Sequence, residues 1–286
     1  MWMLYAVGSA LFAGLMTVLS KIGIKNTDSE TVTTVRTFFV LIFCCITVSV
    51  TDSYVSLNNL PVIPFAFLFL SGIATALSWL CYFKALSNGN VNGVAAIDKT
   101  ATVIAVIAGI FLFNETNRQV SKLVGVFVIL TGILYLSLGE IRSKNKSWVG
   151  FAFASAAFSG LSAVLSKVGV NVINSNMATT VRTAIVLLIS FFIVFSKGKI
   201  KQIYRIPIKD MLFIFLSSVA TTAGWLCFYK ALSIGETSLV VPIDKLSLLF
   251  TAVLSAVILK QTPTKKEWLG ICTITVGTLI MTINFS

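Results

Sequence analysis

Ten runs of about twenty mostly apolar residues follow one another with short polar breaks, at 2–24, 31–51, 64–87, 91–113, 119–139, 148–172, 177–196, 210–232, 237–259 and 267–285. A hydrocarbon core ~30 Å thick takes a helix of about this length. Inside it every backbone amide and carbonyl needs an internal partner, which leaves only helices or closed barrels. No run alternates polar and apolar residues with period two, so the pattern is helical. The sequence predicts an all-α integral membrane protein with ten transmembrane helices and nothing left over for a soluble domain. The composition agrees: 57% apolar residues, 11% charged residues and a mean hydropathy of +0.95 lie outside soluble usage. The first run starts at Trp2 with no basic segment before it and no small-residue cleavage motif, so it is expected to be retained and not removed as a signal peptide.

The chain also repeats itself. SWLCYFKALS (Ser78–Ser87) returns as GWLCFYKALS (Gly224–Ser233), VLSKIG (Val18–Gly23) as VLSKVG (Val164–Gly169), TTVRT (Thr33–Thr37) as TTVRT (Thr179–Thr183), and AIDKT (Ala96–Thr100) as PIDKL (Pro242–Leu246), all at an offset of 146. Past Thr116 and Thr262 the offset falls to 145, aligning Gly125 with Gly270 and Gly132 with Gly277. The predicted organisation is a first five-helix repeat at 1–140, a linker at 141–147 and a second five-helix repeat at 148–286. Five is odd, so the second copy enters the membrane from the opposite side and the repeats are inverted.

The same alignment sorts the charges. Of the 22 basic residues 14 lie in loops or at helix ends, and the other eight are Lys21, Arg36, Lys84, Lys99, Lys167, Arg182, Lys230 and Lys245. With Asp98 and Asp244 they form five pairs related by 146, so away from the loops and helix ends no charge lacks its counterpart. Ionisable groups in hydrocarbon cost roughly 2.5–3.5 kcal/mol each on insertion scales, so they face partners or a water-filled cavity. Lys21, Lys84, Lys167 and Lys230 lie near span ends, where they either snorkel to the interface on their stems or serve as gate or structural charges. Arg36 and Arg182 open their helices and are expected to act as gate or structural charges as well.

Asp98 and Asp244 cannot snorkel, because each short carboxylate lies about seven residues, or ~11 Å, into its helix. They are candidates for substrate or coupling-ion binding together with Lys99 and Lys245; the alternative is that these Asp-Lys neighbours only tie helices together. If the turn after the third helix centres on Asn88 and Gly89, Trp79 and Asp98 share a depth, and Trp225 and Asp244 repeat the arrangement. Two indoles and two carboxylates are thus expected to line one cavity about a pseudo-two-fold axis, with the indole faces open to cations or flat solutes.

Other chemistry is absent from the sequence. There is no histidine and no acidic cluster at metal-ligand spacing, so no metal site is expected. No P-loop, nucleophile elbow or glycine-rich phosphate loop is present, so neither a cofactor nor an enzymatic activity is predicted. The five cysteines sit in spans, where they behave as small hydrophobes. The net charge of +12 belongs mostly to loops and calls for no nucleic acid.

VVPIDKLSLLFTAVLSAVIL (Val240–Leu259), preceded by ALSIGETS, together with the duplicated five-helix unit, resembles the EamA-type branch of the drug/metabolite transporter superfamily, in particular its five-helix bacterial and archaeal transporters. The matching motif positions are Pro242, Ile243, Asp244, Lys245, Leu246 and Ser247. The resemblance implies ten helices, an inverted-repeat fold, a central site, and transport of amino acids, sugars, nucleotide-linked metabolites or drugs. The first repeat departs from the motif, with Ala96 in place of the proline and Thr100-Ala101 in place of Leu-Ser. Pro242 is expected to open the backbone near Asp244, whereas Ala96 is expected to continue its helix.

Loops on one side carry 12 Lys or Arg, and the other side has only Arg118 and Lys122. The positive-inside rule makes the basic loops cytoplasmic and both termini extracytoplasmic in a multi-pass cell-membrane protein. The expected function is secondary transport, as an exporter, of a small polar or zwitterionic organic metabolite such as an amino-acid-like compound, by alternating access, with protons as a candidate coupling ion and membrane lipid as surroundings. The alternatives are a broad organic-cation or drug exporter, and a lipid scramblase or non-transporting structural membrane protein.

Overall fold

The computed structural model describes residues 2–24, 27–51, 62–113, 119–141, 147–170, 175–234, 243–244 and 246–281. Pro242, Lys245, linker residues 142–146 and the side chain of Lys167 lie outside this set. Among the described residues the chain is helical and without strands. The helices are α1 (Trp2–Gly23), α2 (Ser29–Val50), α3 (Val62–Asn88), α4 (Val91–Asp98), α5 (Thr100–Phe113), α6 (Gln119–Ile141), α7 (Ser147–Val170), α8 (Ser175–Ser196), α9 (Ile200–Ile203), α10 (Ile208–Ile234), α11 (Ser247–Ile258) and α12 (Lys265–Ile280). Six of them (α1, α2, α3, α7, α8 and α10) contain described stretches long and apolar enough to cross a membrane. Their outward faces carry stripes such as Phe38, Ile42 and Ile46 on α2 and Leu188, Phe192 and Phe195 on α8, exposed large side chains that suit lipid and not water.

The predicted single helix over 91–113 is a correction: it is two helices, α4 and α5, interrupted at Lys99 although no proline is present. Lys99 N bonds Ala96 O at 3.1 Å and Thr102 N bonds Lys99 O at 3.0 Å, so the ladder tightens to a three-residue step there. The Thr100 hydroxyl donates to Ile97 O and so competes for a carbonyl that the α-helical ladder uses. The second repeat tightens in the same way one position further on, with Leu246 N on Ile243 O at 3.0 Å.

Contacts between connections bring the basic segments to one end of the bundle. Lys197 and Lys199, between α8 and α9, bind Glu30 at the start of α2 at 2.5 and 2.9 Å, and Lys199 also reaches Asp28, the N-cap of α2, at 3.1 Å. The Lys199 ammonium is raised above its usual range, chiefly by its hydrogen bond to Glu30. Asn90, after α3, donates to Glu267 at 2.6 Å, and Glu267 completes a capping box with Thr264 that starts α12. Lys21 donates to Leu86 O at 2.5 Å and Gly89 O at 2.8 Å, satisfying carbonyls that the end of α3 leaves open. At this basic end Val18, Val35, Tyr82, Phe83, Leu86, Ile97, Trp148 and Ile214 belong to one buried cluster.

A second packed region joins the repeats along α6 and α12. A Cβ on Gly125 would come within 2.7 Å of Gly277 O, and one on Gly132 within 3.2 Å of Gly270 O, so the two backbones nearly touch. At the offset of 145 these are the same contact counted twice about the pseudo-two-fold axis.

Candidate functional site

Arg36 and Arg182, the arginines of the two TTVRT phrases, reach across to the opposite repeat. Arg36 Nη2 donates to Thr221 Oγ1 at 2.5 Å, and Arg182 Nη2 donates to Thr75 Oγ1 at 2.9 Å. Both the donors and the acceptors are 146 residues apart, so one bond is made twice with inverted sense. Between them Trp79 and Trp225 stack on each other, ring centroids 5.9 Å apart and planes 28° from parallel, an aromatic pair that is its own symmetry mate.

The symmetry ends at the solvent boundary. A cavity of about 380 Å³ is lined by Trp79, Trp225, Phe228, Asp244 and Arg182, together with hydroxyls of Ser9, Thr75, Ser162, Ser166, Thr179, Thr183 and Thr221. It lies in the half of the bundle away from the basic end. The counterparts of Ser166, Thr179, Arg182 and Thr183 are Ser20, Thr33, Arg36 and Thr37, and these are at most 1% exposed. One half-site is therefore open and its mate is packed shut. Arg36 closes it: its guanidinium lies 4.7 Å from the Trp79 ring centroid and 5.0 Å from that of Phe83, with Nε and Nη1 lacking hydrogen-bond partners among the described residues.

The two aspartates are separated by this asymmetry. Asp244 lines the cavity and accepts from Ser9 Oγ at 2.5 Å. Asp98 is half-buried, is not among the residues lining the cavity, and lies within electrostatic reach of Tyr82. The expected pair of carboxylates in one cavity thus reduces to one. One sequence difference goes with the split. Ser155, the counterpart of Ser9, is engaged by Ser78 Oγ through its carbonyl at 3.0 Å and its hydroxyl at 3.3 Å. Ser78 has Gly224 as its own counterpart, so nothing diverts Ser9 from Asp244.

The other candidates disperse. Lys99 Nζ donates to Ser247 Oγ at 3.0 Å and ties the break after α4 to the start of α11. Lys21 caps α3 at the basic end, and Lys84 and Lys230 are exposed. Among the described residues no three His, Cys, Asp or Glu side chains come together as a metal would require.

The hydroxyls were not singled out from the sequence, yet a signal for them exists. Ser155, Ser159, Ser162 and Ser166 recur at steps of four, three and four, which is one face of α7, where α1 has Ser9, Ala13, Met16 and Ser20. Three serines of this face line the cavity.

Two homologous helical units closing around an interior cavity, with outward faces suited to lipid, define a membrane transporter. The profile of the EamA-like transporter family matches residues 1–138 and again 146–283, and the chain belongs to that family. An uncharacterized transporter from the cobO 3' region of a Sinorhizobium species is 38% identical over 139 residues, 49% of this chain and 99% of that protein, which is thus about one repeat long. The Helicobacter pylori phosphoethanolamine transferase EptA is 30% identical over 144 residues, but these are 42% of this chain and 27% of that protein. A solved protein crystal structure superposes with a TM-score of 0.66 over 96% of this chain and 95% of its own length, at 13% identity, a likeness of fold.

Proposed function

We propose that the protein is a secondary active transporter that exports a small polar or zwitterionic organic metabolite, such as an amino-acid-like compound, by alternating access. Its ten membrane crossings form two inverted repeats of five, with the basic loops cytoplasmic and both termini extracytoplasmic. The observation that carries this reading is the pair of unequal half-sites. Residues related by the repeat line an open cavity in one half and a packed core in the other. Exchanging the conformations of the repeats closes the first and opens the second about the fixed α6–α12 seam. With the basic loops inside, the cavity described here faces outward.

The cavity chemistry supports the substrate class. Arg182 and Asp244 supply opposite charges and the indole pair supplies a flat apolar surface, which suits a zwitterion better than a lone organic cation. The volume lies at the lower end of the roughly 300–1,000 Å³ typical of small-molecule sites. Proteoliposomes test the function: solute-dependent proton flux is the expected result. Equilibration of labelled lipid without any solute indicates a scramblase, and neither activity indicates a structural protein.

A further inference from the structure

Arg182 differs from Arg36 in what surrounds an otherwise identical bond. Both donate to a threonine of the opposite repeat, but Arg36 is enclosed by the Trp79 and Phe83 rings, whereas Arg182 stands in the cavity wall. Arg182 is also held by Ser162 Oγ at 3.1 Å, a contact its twin lacks because Met16 occupies the corresponding position. Ser162 Oγ lies 2.6 Å from Thr75 Oγ1 and 3.0 Å from Ser71 Oγ, which in turn meets Ser166 Oγ at 2.7 Å. The guanidinium is thus fixed by a linked set of hydroxyls before any solute arrives. Hydroxyl protons rotate to suit an acceptor, and a guanidinium fork matches planar oxyanions. Arg182 and Asp244 are the ionisable groups among the described residues lining the cavity.

We infer that Arg182 and the serine face of α7 form an oxyanion subsite of the cavity, which takes the carboxylate of the solute while its ammonium group lies toward Asp244. This rests on the zwitterion reading for the ammonium half, but the oxyanion half stands by itself. A phosphate group shares the chemistry that this subsite recognises.

The test measures stabilisation and affinity of the purified full-length protein with four probes: leucine, isopentylamine, 4-methylpentanoate and inorganic phosphate. Binding by leucine and 4-methylpentanoate, weakened at least about tenfold in Arg182→Gln and Ser162→Ala and partly restored in Arg182→Lys, is the expected result. If Arg182→Gln does not fold, Ser162→Ala and Arg182→Lys carry the comparison. If 4-methylpentanoate binds as well as leucine and both depend on Arg182, the oxyanion subsite stands and the zwitterion reading falls. Phosphate binding with the same dependence, without the carboxylates, assigns the subsite to a phosphorylated solute. Leucine or isopentylamine binding that is indifferent to Arg182 and Ser162 overturns the subsite while leaving the transporter reading intact. No binding by any oxyanion probe also overturns it.

Discussion

Ser9 donates a 2.5 Å hydrogen bond to Asp244, a residue 235 positions away in sequence, and the corresponding serine of the other repeat makes no such bond. Ser155 is instead taken by Ser78, whose place in the second repeat is held by Gly224. Two homologous halves thus hold one aspartate in the cavity and one outside its lining.

Gly224→Ser copies into the second repeat the residue the first already uses. A Cβ there meets Phe12 Cβ at 3.3 Å, so α1 must give by a few tenths of an ångström at Phe12, and the variant is expected to fold. Its hydroxyl draws Ser9 away from Asp244, and transport falls roughly tenfold, in line with a lost hydrogen bond to a charged group. Ser9→Ala produces a similar loss, and the double variant is no worse than either single one. Additive losses in proteoliposome flux contradict the shared mechanism.

Arg36 is expected to matter for stability more than Arg182. Its guanidinium is buried between two rings, a cation–π arrangement worth ~2 kcal/mol when desolvated. Arg36→Lys should lower the thermal midpoint clearly and Arg182→Lys only slightly. Equal shifts contradict the difference drawn between the two half-sites.

Gly277→Ala places a Cβ 2.9 Å from Ile129 N and 3.0 Å from Gly125 O, both backbone atoms that cannot rotate away. The α6 and α12 helices must separate, at a cost of about 1–3 kcal/mol. Denaturation in mixed micelles should show that loss, whereas Gly150→Ala on α7, where a Cβ meets nothing within 4 Å, does not lower stability.

The ion pairs of Glu30 with Lys197 and Lys199 sit at the partly exposed basic end. Glu30→Gln should change stability by less than about 1 kcal/mol, and less still in high salt. Because Glu30 raises the Lys199 ammonium, the Lys199 contribution is complete below the ordinary lysine range and is lost only as pH climbs through the raised value. Thermal midpoints should therefore show no pH dependence from this lysine between pH 6 and about 9.

Much of this was legible in the sequence because it is written twice. The offset of 146 paired Arg36 with Arg182 and Trp79 with Trp225 as equivalents; the indoles meet about the axis, while each arginine bonds a threonine of the opposite repeat. Repetition has a blind side, since residues that look equivalent invite equal roles. That Ser9 reaches Asp244 while Ser155 is held by Ser78 goes with Gly224 standing opposite Ser9, a contact between α10 and α1 that no local pattern announces. Pro242 drew attention as the helix breaker, yet the first repeat breaks at Lys99 through hydroxyl competition at Thr100. The α7 serine face was readable by its period, but serines in apolar helices ordinarily bond their own preceding turn, as Ser166 does to Ser162 O at 2.7 Å. Only the cavity showed that this face was also turned toward solvent.

Ser20 and Ser166 occupy the same place in the two VLSK phrases, the first fully buried and the second on the cavity wall. Ser20→Cys and Ser166→Cys, each in a protein whose five native cysteines are replaced, can be labelled with a membrane-impermeant thiol reagent applied from either side. Without solute, Cys at 166 should react from the side opposite the basic loops while Cys at 20 stays protected. During turnover, Cys at 20 should gain reactivity from the basic side as Cys at 166 loses it. Labelling of both positions that does not respond to solute or to side contradicts the exchange of half-sites.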